Sequence, residues 1–84
     1  MRYFENKVAA ITGAGSGIGQ QLAILLAKQG CHLALSDINV QGLQATRDLI
    51  KDKVIISLTV VDVAQKHQVE AWAEQVMQTH QQVN

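Results

Sequence analysis

The chain has 84 residues, of which 48% are hydrophobic and 17% are charged, and its formal net charge at pH 7 is +0. A chain of this length forms one small domain because it is too short to bury two cores, and its apolar content excludes intrinsic disorder. Its few charges are scattered and provide no basic face for a phosphate backbone, so we expect no nucleic-acid partner.

The first predicted strand is the apolar run from Val8 to Thr12, which leads into a glycine-rich segment. The residues after that segment have helical spacing, and Gly30 is a natural end for the helix. An apolar stripe runs along this helix with the spacing i, i+4, i+7, i+8 and consists of Ile18, Leu22, Leu25 and Leu26.

A second strand is predicted from His32 to Asp37, and a second helix follows it. Asn39 is placed to cap the amino end of that helix, because its side chain can accept a hydrogen bond from a first-turn N–H group. Gly42 weakens the same helix. The apolar stripe of this helix consists of Val40, Leu43 and Ile50.

The third strand is predicted from Val54 to Asp62, the most strand-like run of the chain. The apolar face of the third helix consists of Val69, Trp72, Ala73 and Val76.

This alternation of strands and helices predicts an α/β fold. Nearly continuous apolar strands indicate burial on both faces, as in a parallel sheet that is covered by crossover helices. Right-handed crossovers and short loops give the strand order 3-2-1, which is the first half of a doubly wound, Rossmann-type sheet. In this order the first strand lies at an open edge, and the third helix crosses to the opposite face of the sheet.

The segment from Gly13 to Gly19 has four glycines in seven residues. Gly13 allows a sharp turn off the strand, Gly17 allows the backbone to approach a phosphate, and Gly19 allows the helix to pack closely on the strand. The N–H groups around residues 16–18 point at any anion there, so the segment is predicted to hold a pyrophosphate. A P-loop is excluded, because no Gly-Lys-Ser/Thr ends the segment. The alternative is a flexible turn without a ligand.

Asp37 ends the second strand, where its carboxylate can accept hydrogen bonds from both ribose hydroxyls of an adenosine. A 2′-phosphate at this place would meet a like charge, with a repulsion approaching about 4 kcal/mol per unit charge pair at ~4 Å and an effective dielectric constant of ~20. Neither Ser16 nor Ile38 supplies a compensating cation, so NAD is predicted to be preferred over NADP. Capping of the second helix is the alternative role of Asp37, and it does not exclude the first.

Thr12-Gly13, Gly17 and Gly19 form the pattern T-G-x-x-x-G-x-G. This pattern resembles that of the short-chain dehydrogenase/reductase family, whose members transfer a hydride between a nicotinamide cofactor and an alcohol or carbonyl carbon. The resemblance implies that Asp62 and Val63 hold the adenine, and capping of the third helix is the alternative role of Asp62. The residues expected to bind the cofactor are Gly13, Gly15, Ser16, Gly17, Ile18, Gly19, Asp37, Ile38, Asp62 and Val63.

The resemblance also implies where catalysis occurs. Family members carry an Asn-Asn-Ala-Gly segment, a catalytic serine and a Tyr-x-x-x-Lys pair beyond the region that this chain matches. We therefore expect residues 1–84 to be the amino-terminal half of a dinucleotide-binding domain, with the catalytic half absent and no catalytic residue in this chain. Tyr3, the only tyrosine, precedes the first strand and is not expected to replace the family's tyrosine. Members are commonly dimers or tetramers, so we expect a homo-oligomer for the full-length protein.

Two other functions use the same features. A stand-alone adenine-nucleotide-binding module would hold the nucleotide on the same loop and carboxylates without catalysis. A methyltransferase that uses S-adenosylmethionine would have Gly13, Gly15 and Gly17 as its Gly-x-Gly-x-Gly loop. Such enzymes usually carry an acid near the end of the first strand, where this chain has Ala-Ile-Thr.

The other reactive side chains are predicted to be structural. Cys31 is the only cysteine, so it forms no internal disulfide, and we expect a small buried hydrophobic residue. The three histidines lie on different elements and have no zinc-site spacing with Cys31, so no metal is expected. Trp72 is expected in the core. The apolar run after the polar first residues is too short for a signal peptide or a membrane span, so we expect a cytoplasmic location.

Overall fold

The computed structural model describes residues 5–80, in which three strands and three helices alternate. The strands are β1 (Val8–Ile11), β2 (His32–Asp37) and β3 (Ile56–Val60), and the helices are α1 (Gly17–Lys28), α2 (Val40–Leu49) and α3 (Lys66–His80). Both strand pairs are parallel, and the order β1-β2-β3 is the predicted order 3-2-1 counted from the other edge. The predicted Rossmann-type α/β fold is confirmed, and β1 lies at an edge of the sheet as expected.

The predicted bounds are correct for β2 and too wide for β1 and β3. β1 ends at Ile11 rather than Thr12, and β3 is shorter than the predicted 54–62 at both ends. Ile55 lies before β3 because its N–H group donates to the ring nitrogen Nδ1 of His32 at 3.0 Å instead of to a strand carbonyl. Beyond β3, the Val61 N–H group still donates to the Asp37 carbonyl at 3.1 Å, which holds the following residues beside the end of β2.

The parallel register brings the carboxyl ends of the strands to one edge of the sheet. Ile11 pairs with Leu35, and Asp37 pairs with Val60. The segments that leave the three strands therefore meet at this edge, which is where ligands bind in open α/β sheets.

The central strand β2 is covered on both faces. Leu33 and Leu35 are fully buried against residues of α1 and α2, whereas Ala34 points to the other face and packs in the cluster of Trp72 and Val76 from α3. Side chains alternate between the faces of a strand, so this pattern is the one that a doubly covered parallel strand requires. The prediction that the third helix crosses to the opposite face is confirmed, and so is the core position of Trp72.

The predicted stripe of large apolar side chains is not the buried face of α1, which corrects the prediction. Ile18 is 87% exposed, Leu22 44% and Leu25 58%, and only Leu26 of the predicted stripe packs against the core. The residues of α1 that are buried in the core are instead the small Ala23 and Ala27, one turn apart, and Gly19, one turn earlier, packs on the loop that follows β1. The physical reason is distance: small side chains let the helix axis approach the strands closely, and this contact turns the larger side chains away.

The other two helices match their predicted faces in part. The side-chain oxygen of Asn39 accepts a hydrogen bond from the Gly42 N–H group at 3.1 Å, which confirms the predicted N-cap of α2. Leu43 and Ile50 are buried, but Val40 is 46% exposed because it lies in the first turn and points away from the sheet. Ala73 of α3 is likewise exposed.

Within residues 5–80, no helix has both the length and the apolar character that crossing a membrane requires.

Candidate functional site

The glycine-rich loop joins β1 to α1 at the carboxyl edge of the sheet. Gly13 and Gly17 have φ values of +65° and +59°, which L side chains rarely adopt, so both positions need glycine. A Cβ atom at either position would have no heavy atom within 4 Å. The backbone of the loop therefore borders open space in which a ligand can approach without meeting a side chain.

Gly19, unlike Gly13 and Gly17, lies at a close contact between backbone segments. A Cβ atom at Gly19 would overlap the backbone carbonyl of Gly13 and lie 3.2 Å from the Cα atom of Ala14. The first turn of α1 therefore packs directly on the loop that precedes it, whereas the prediction for this glycine was close packing on the strand.

The amino end of α1 carries uncompensated N–H groups. Ser16 is the N-cap residue in an extended conformation, but its side chain makes no capping hydrogen bond, and the first turn contains no acidic residue. The Ile18 side chain at this end of the helix is exposed to solvent. First-turn N–H groups have no partner within the helix, and the helix dipole adds partial positive charge, so this end of α1 favours an anion.

The Asp37 carboxylate lies directly beside the loop. Its Oδ2 atom accepts a hydrogen bond from the Gly15 N–H group at 2.8 Å, and its Oδ1 atom accepts one from the Asn39 N–H group at 3.0 Å. A Cβ atom at Gly15 would lie 2.8 Å from Oδ2, so glycine is needed for this approach. Because Asn39 caps α2, the alternative role of Asp37 as the cap is wrong. A carboxylate has about four acceptor positions, so further hydroxyl donors can be bound.

The Asp62 carboxylate closes the turn that follows β3. Its Oδ1 atom accepts a hydrogen bond from the Ala64 N–H group at 3.0 Å, and its own N–H group donates to the Gln68 side chain at 2.9 Å. α3 begins only at Lys66, so the Asp62 side chain caps this turn rather than the first turn of the helix.

The loop and the two carboxylates share one cleft. Its volume is about 120 Å³, and it is lined by Gly13, Asp37, Ile38, Val61, Asp62 and Val63. All of these except Val61 are residues expected from the sequence, and the other expected residues lie in the adjoining loop and the first turn of α1. Complete ligand pockets usually have roughly 300 to 1,000 Å³, so the cleft has room for one part of a dinucleotide.

Comparison with known proteins identifies the fold family. The family model for short chain dehydrogenases matches residues 7–84. The chain belongs to the short-chain dehydrogenase/reductase family.

Curated relatives and solved structures agree with this membership. Cyclohexanol dehydrogenase from an Acinetobacter species is 57% identical over 47 residues, which are 56% of this chain and 19% of that protein. Levodione reductase from Leifsonia aquatica is 38% identical over 72 residues, which are 82% of this chain and 27% of that protein. A short-chain dehydrogenase/reductase from Burkholderia phymatum, solved in complex with NAD, superimposes with a TM-score of 0.91 at 34% identity and covers 100% of this chain and 30% of that one.

The chain therefore spans about a fifth to a third of the length of these relatives. Membership of the short-chain dehydrogenase/reductase family excludes the methyltransferase alternative.

Two residues of α2, Gly42 and Thr46, contact the loop and were not among the site residues expected from the sequence. A Cβ atom at Gly42 would lie 2.5 Å from the Gly15 carbonyl oxygen and 3.0 Å from the Gly15 Cα atom. Thr46 is fully buried, and its hydroxyl donates to the Ala14 carbonyl oxygen at 2.6 Å. A glycine inside a predicted helix is the signal that was available, because it often marks a close approach of two backbone segments. For Thr46 the sequence offers no comparable signal.

A larger cleft, of about 290 Å³, lies at the opposite edge of the sheet, where its lining includes Glu5, His32 and Lys53. It contains none of the expected site residues.

The family's Tyr-x-x-x-Lys spacing does occur once, at Tyr3 and Lys7, but Lys7 precedes β1 and lies at the amino-terminal edge of the sheet. Tyr3 itself is outside the described residues. The lysine of this pair is therefore at the wrong end of β1 to serve a ligand held by the glycine loop.

Cys31, His32 and His67 lie outside the cleft that the glycine loop borders. Cys31 is buried as predicted, its thiol donates to the His32 carbonyl at 3.3 Å, and burial raises its pKa. His32 accepts the Ile55 N–H group through Nδ1, and His67 is exposed. The His80 side chain is outside the described part. Among the described residues, no three His, Cys, Asp or Glu side chains are grouped so that they could hold a metal ion.

Proposed function

We propose that this chain binds NAD and is the cofactor-binding half of an oxidoreductase that transfers a hydride between the nicotinamide and an alcohol or carbonyl substrate. The observation that carries the proposal is the Asp37 carboxylate, which is held by the Gly15 N–H group at the mouth of a cleft beside an uncapped helix end. The names of the relatives, cyclohexanol dehydrogenase and levodione reductase, support the substrate class.

In this proposal the pyrophosphate lies at the amino end of α1. Backbone N–H groups of residues 16–19 supply the hydrogen bonds, and the absence of acidic residues in the first turn avoids repulsion. Gly13 and Gly17 leave the approach open, because no side chain projects from either. The site needs no basic side chain to neutralise the ligand.

The adenosine occupies the cleft between the ends of β2 and β3. Asp37 accepts the ribose hydroxyls, Ile38 and Val63 provide exposed apolar surface for the adenine, and the Asp62 carboxylate has acceptor capacity left for the adenine amino group. A 2′-phosphate beside Asp37 would be repelled, so NAD is preferred over NADP.

The nicotinamide ring supplies the hydride chemistry when the cofactor is bound. The residues of this chain bind and orient the cofactor, and we assign no acid–base role to any of them. The serine and the Tyr-x-x-x-Lys pair of the family are proposed to lie in a part of the protein outside these 84 residues. We also propose a homo-oligomer for the protein that contains this chain.

Calorimetric titration of the chain tests this proposal. All proposed contacts are made to the ADP-ribose part, so NAD and ADP-ribose are expected to bind with similar affinity and nicotinamide mononucleotide is expected not to bind. Absence of binding by both NAD and ADP-ribose would overturn the proposal. If a longer protein that contains the chain binds ADP-ribose but oxidises no alcohol with NAD, the adenine-nucleotide module without catalysis is favoured instead.

A further inference from the structure

The Thr46 hydroxyl lies at the junction of α2, α1 and the glycine loop. Its oxygen is 2.6 Å from the Ala14 carbonyl oxygen and 3.0 Å from the Gly42 carbonyl oxygen, and it accepts a hydrogen bond from the Gln20 side-chain amide at 2.9 Å. A hydroxyl has one hydrogen, and two oxygens only 2.6 Å apart repel each other unless a hydrogen lies between them. The Thr46 hydrogen is therefore donated to Ala14.

The Ala14 carbonyl and the Gly15 N–H group belong to one peptide unit. A peptide unit is planar and trans, so its oxygen and its hydrogen point in opposite directions and turn together. The oxygen of this unit points to Thr46, and its N–H group donates to Oδ2 of Asp37 at 2.8 Å. The orientation that Thr46 imposes on the carbonyl is thus the orientation that directs the N–H group at the carboxylate.

Other contacts fix the same unit from two sides. The Ala14 N–H group donates to the Ser36 carbonyl of β2 at 3.0 Å, which anchors the residue before the peptide unit. Gly42 packs against Gly15 so closely that a Cβ atom there would lie 2.5 Å from the Gly15 oxygen. Of these contacts, only the Thr46 hydrogen bond holds the carbonyl oxygen of the peptide unit itself, so its loss removes the restraint on the rotation of that unit from the carbonyl side.

We propose that Thr46 is a positioning residue for the nucleotide: it orients the Gly15 N–H group, which together with the Asn39 N–H group holds the Asp37 carboxylate that receives the ribose. This inference rests on the proposed function for its ligand, but the two hydrogen bonds that link Thr46 to Asp37 through the Ala14–Gly15 peptide unit are present without a ligand. Loss of one such hydrogen bond is expected to weaken ADP-ribose binding about 3- to 10-fold.

The effect of Thr46 on the Gly15 N–H group in the absence of ligand can be measured by amide hydrogen exchange of the ¹⁵N-labelled chain. Thr46→Val keeps the shape of the side chain and removes the hydroxyl, so we expect the Gly15 amide to exchange about tenfold faster or more. Thr46→Ser keeps the hydroxyl and is expected to restore slow exchange. Thr79→Val is the matched control, because Thr79 is exposed on α3, and it is expected to leave the Gly15 amide unchanged. Equal Gly15 exchange in Thr46→Val and the original chain would overturn the proposal.

A double-mutant cycle tests the link to the ligand. If Thr46 acts through Asp37, Thr46→Val weakens ADP-ribose binding in the original chain but has no further effect in the Asp37→Ala background. Additive effects, or equally weak binding by Thr46→Ser and Thr46→Val, would mean that Thr46 only supports packing. If the original chain binds neither NAD nor ADP-ribose, the proposed function fails and the nucleotide role of Thr46 fails with it, whatever the exchange data show.

A second variant covers the case in which Thr46→Val does not fold. Gly42→Ala improves the helix propensity of α2 but places a methyl group against Gly15. We expect it to speed Gly15 exchange and to weaken ADP-ribose binding, as Thr46→Val does. Unchanged exchange and affinity in Gly42→Ala would contradict a role for the α2 contacts in positioning the loop.

Discussion

Replacement of Asp37 by alanine is expected to weaken NAD binding about 10- to 100-fold, because the ribose loses hydrogen bonds to a charged acceptor. The affinity for NADP is expected to rise relative to that for NAD, because the like charge beside the 2′-phosphate is removed. The substitution also releases the Gly15 and Asn39 N–H groups, which are donors that a phosphate can use. Calorimetric titration of both dinucleotides measures the ratio of the two affinities.

Asp48→Ala is the matched control for this substitution. Asp48 is an exposed carboxylate on α2, so its removal changes the net charge equally without touching the cleft. We expect its NAD to NADP affinity ratio to equal that of the original chain. An unchanged ratio in Asp37→Ala would show that Asp37 does not contact the ribose.

Replacement of Gly19 by alanine is expected to destabilise the chain by about 3 kcal/mol, at the upper end of the usual cost of overpacking. The added methyl group would overlap the Gly13 backbone, which cannot move aside as the end of a flexible side chain can. Small domains are stabilised by only about 0.05 to 0.15 kcal/mol per residue, so this loss is a large part of the total. Urea denaturation measures it.

Gly13→Ala separates steric overlap from backbone conformation. Gly13 has positive φ but open space around it, so the expected cost is only that of a left-handed residue, about 1 to 2 kcal/mol. Gly19→Ala should therefore be the more destabilising of the two. A larger loss of stability in Gly13→Ala would contradict the close packing of α1 on the loop.

Features with a local physical cause could be predicted from the sequence. The bounds of β2, the N-cap at Asn39 and the close approach at Gly19 each depend on residues that are near one another in the chain. The parallel order followed from the apolar runs and from the handedness of crossover connections. The position of Asp37 beside the loop then followed from the order of the strands.

Features that depend on tertiary distance could not be predicted in the same way. The apolar stripe of α1 indicated the wrong contact face, because Ala23 and Ala27 pack in the core and Gly19 packs on the loop more closely than leucine side chains would allow. Thr46 contacts a backbone carbonyl 32 positions earlier in the chain, and nothing in the residues around it indicates that partner. The hydrogen bond from Gly15 to Asp37 likewise depends on how the loop folds back on β2.

Mapping of amide chemical shifts during titration of the ¹⁵N-labelled chain with NAD tests the central claim most directly. The largest changes are expected in the loop at residues 13–19 and at the strand ends, at Asp37, Ile38, Asp62 and Val63. Changes centred on the opposite cleft, at Glu5, His32 and Lys53, or no changes at saturating NAD, would contradict it.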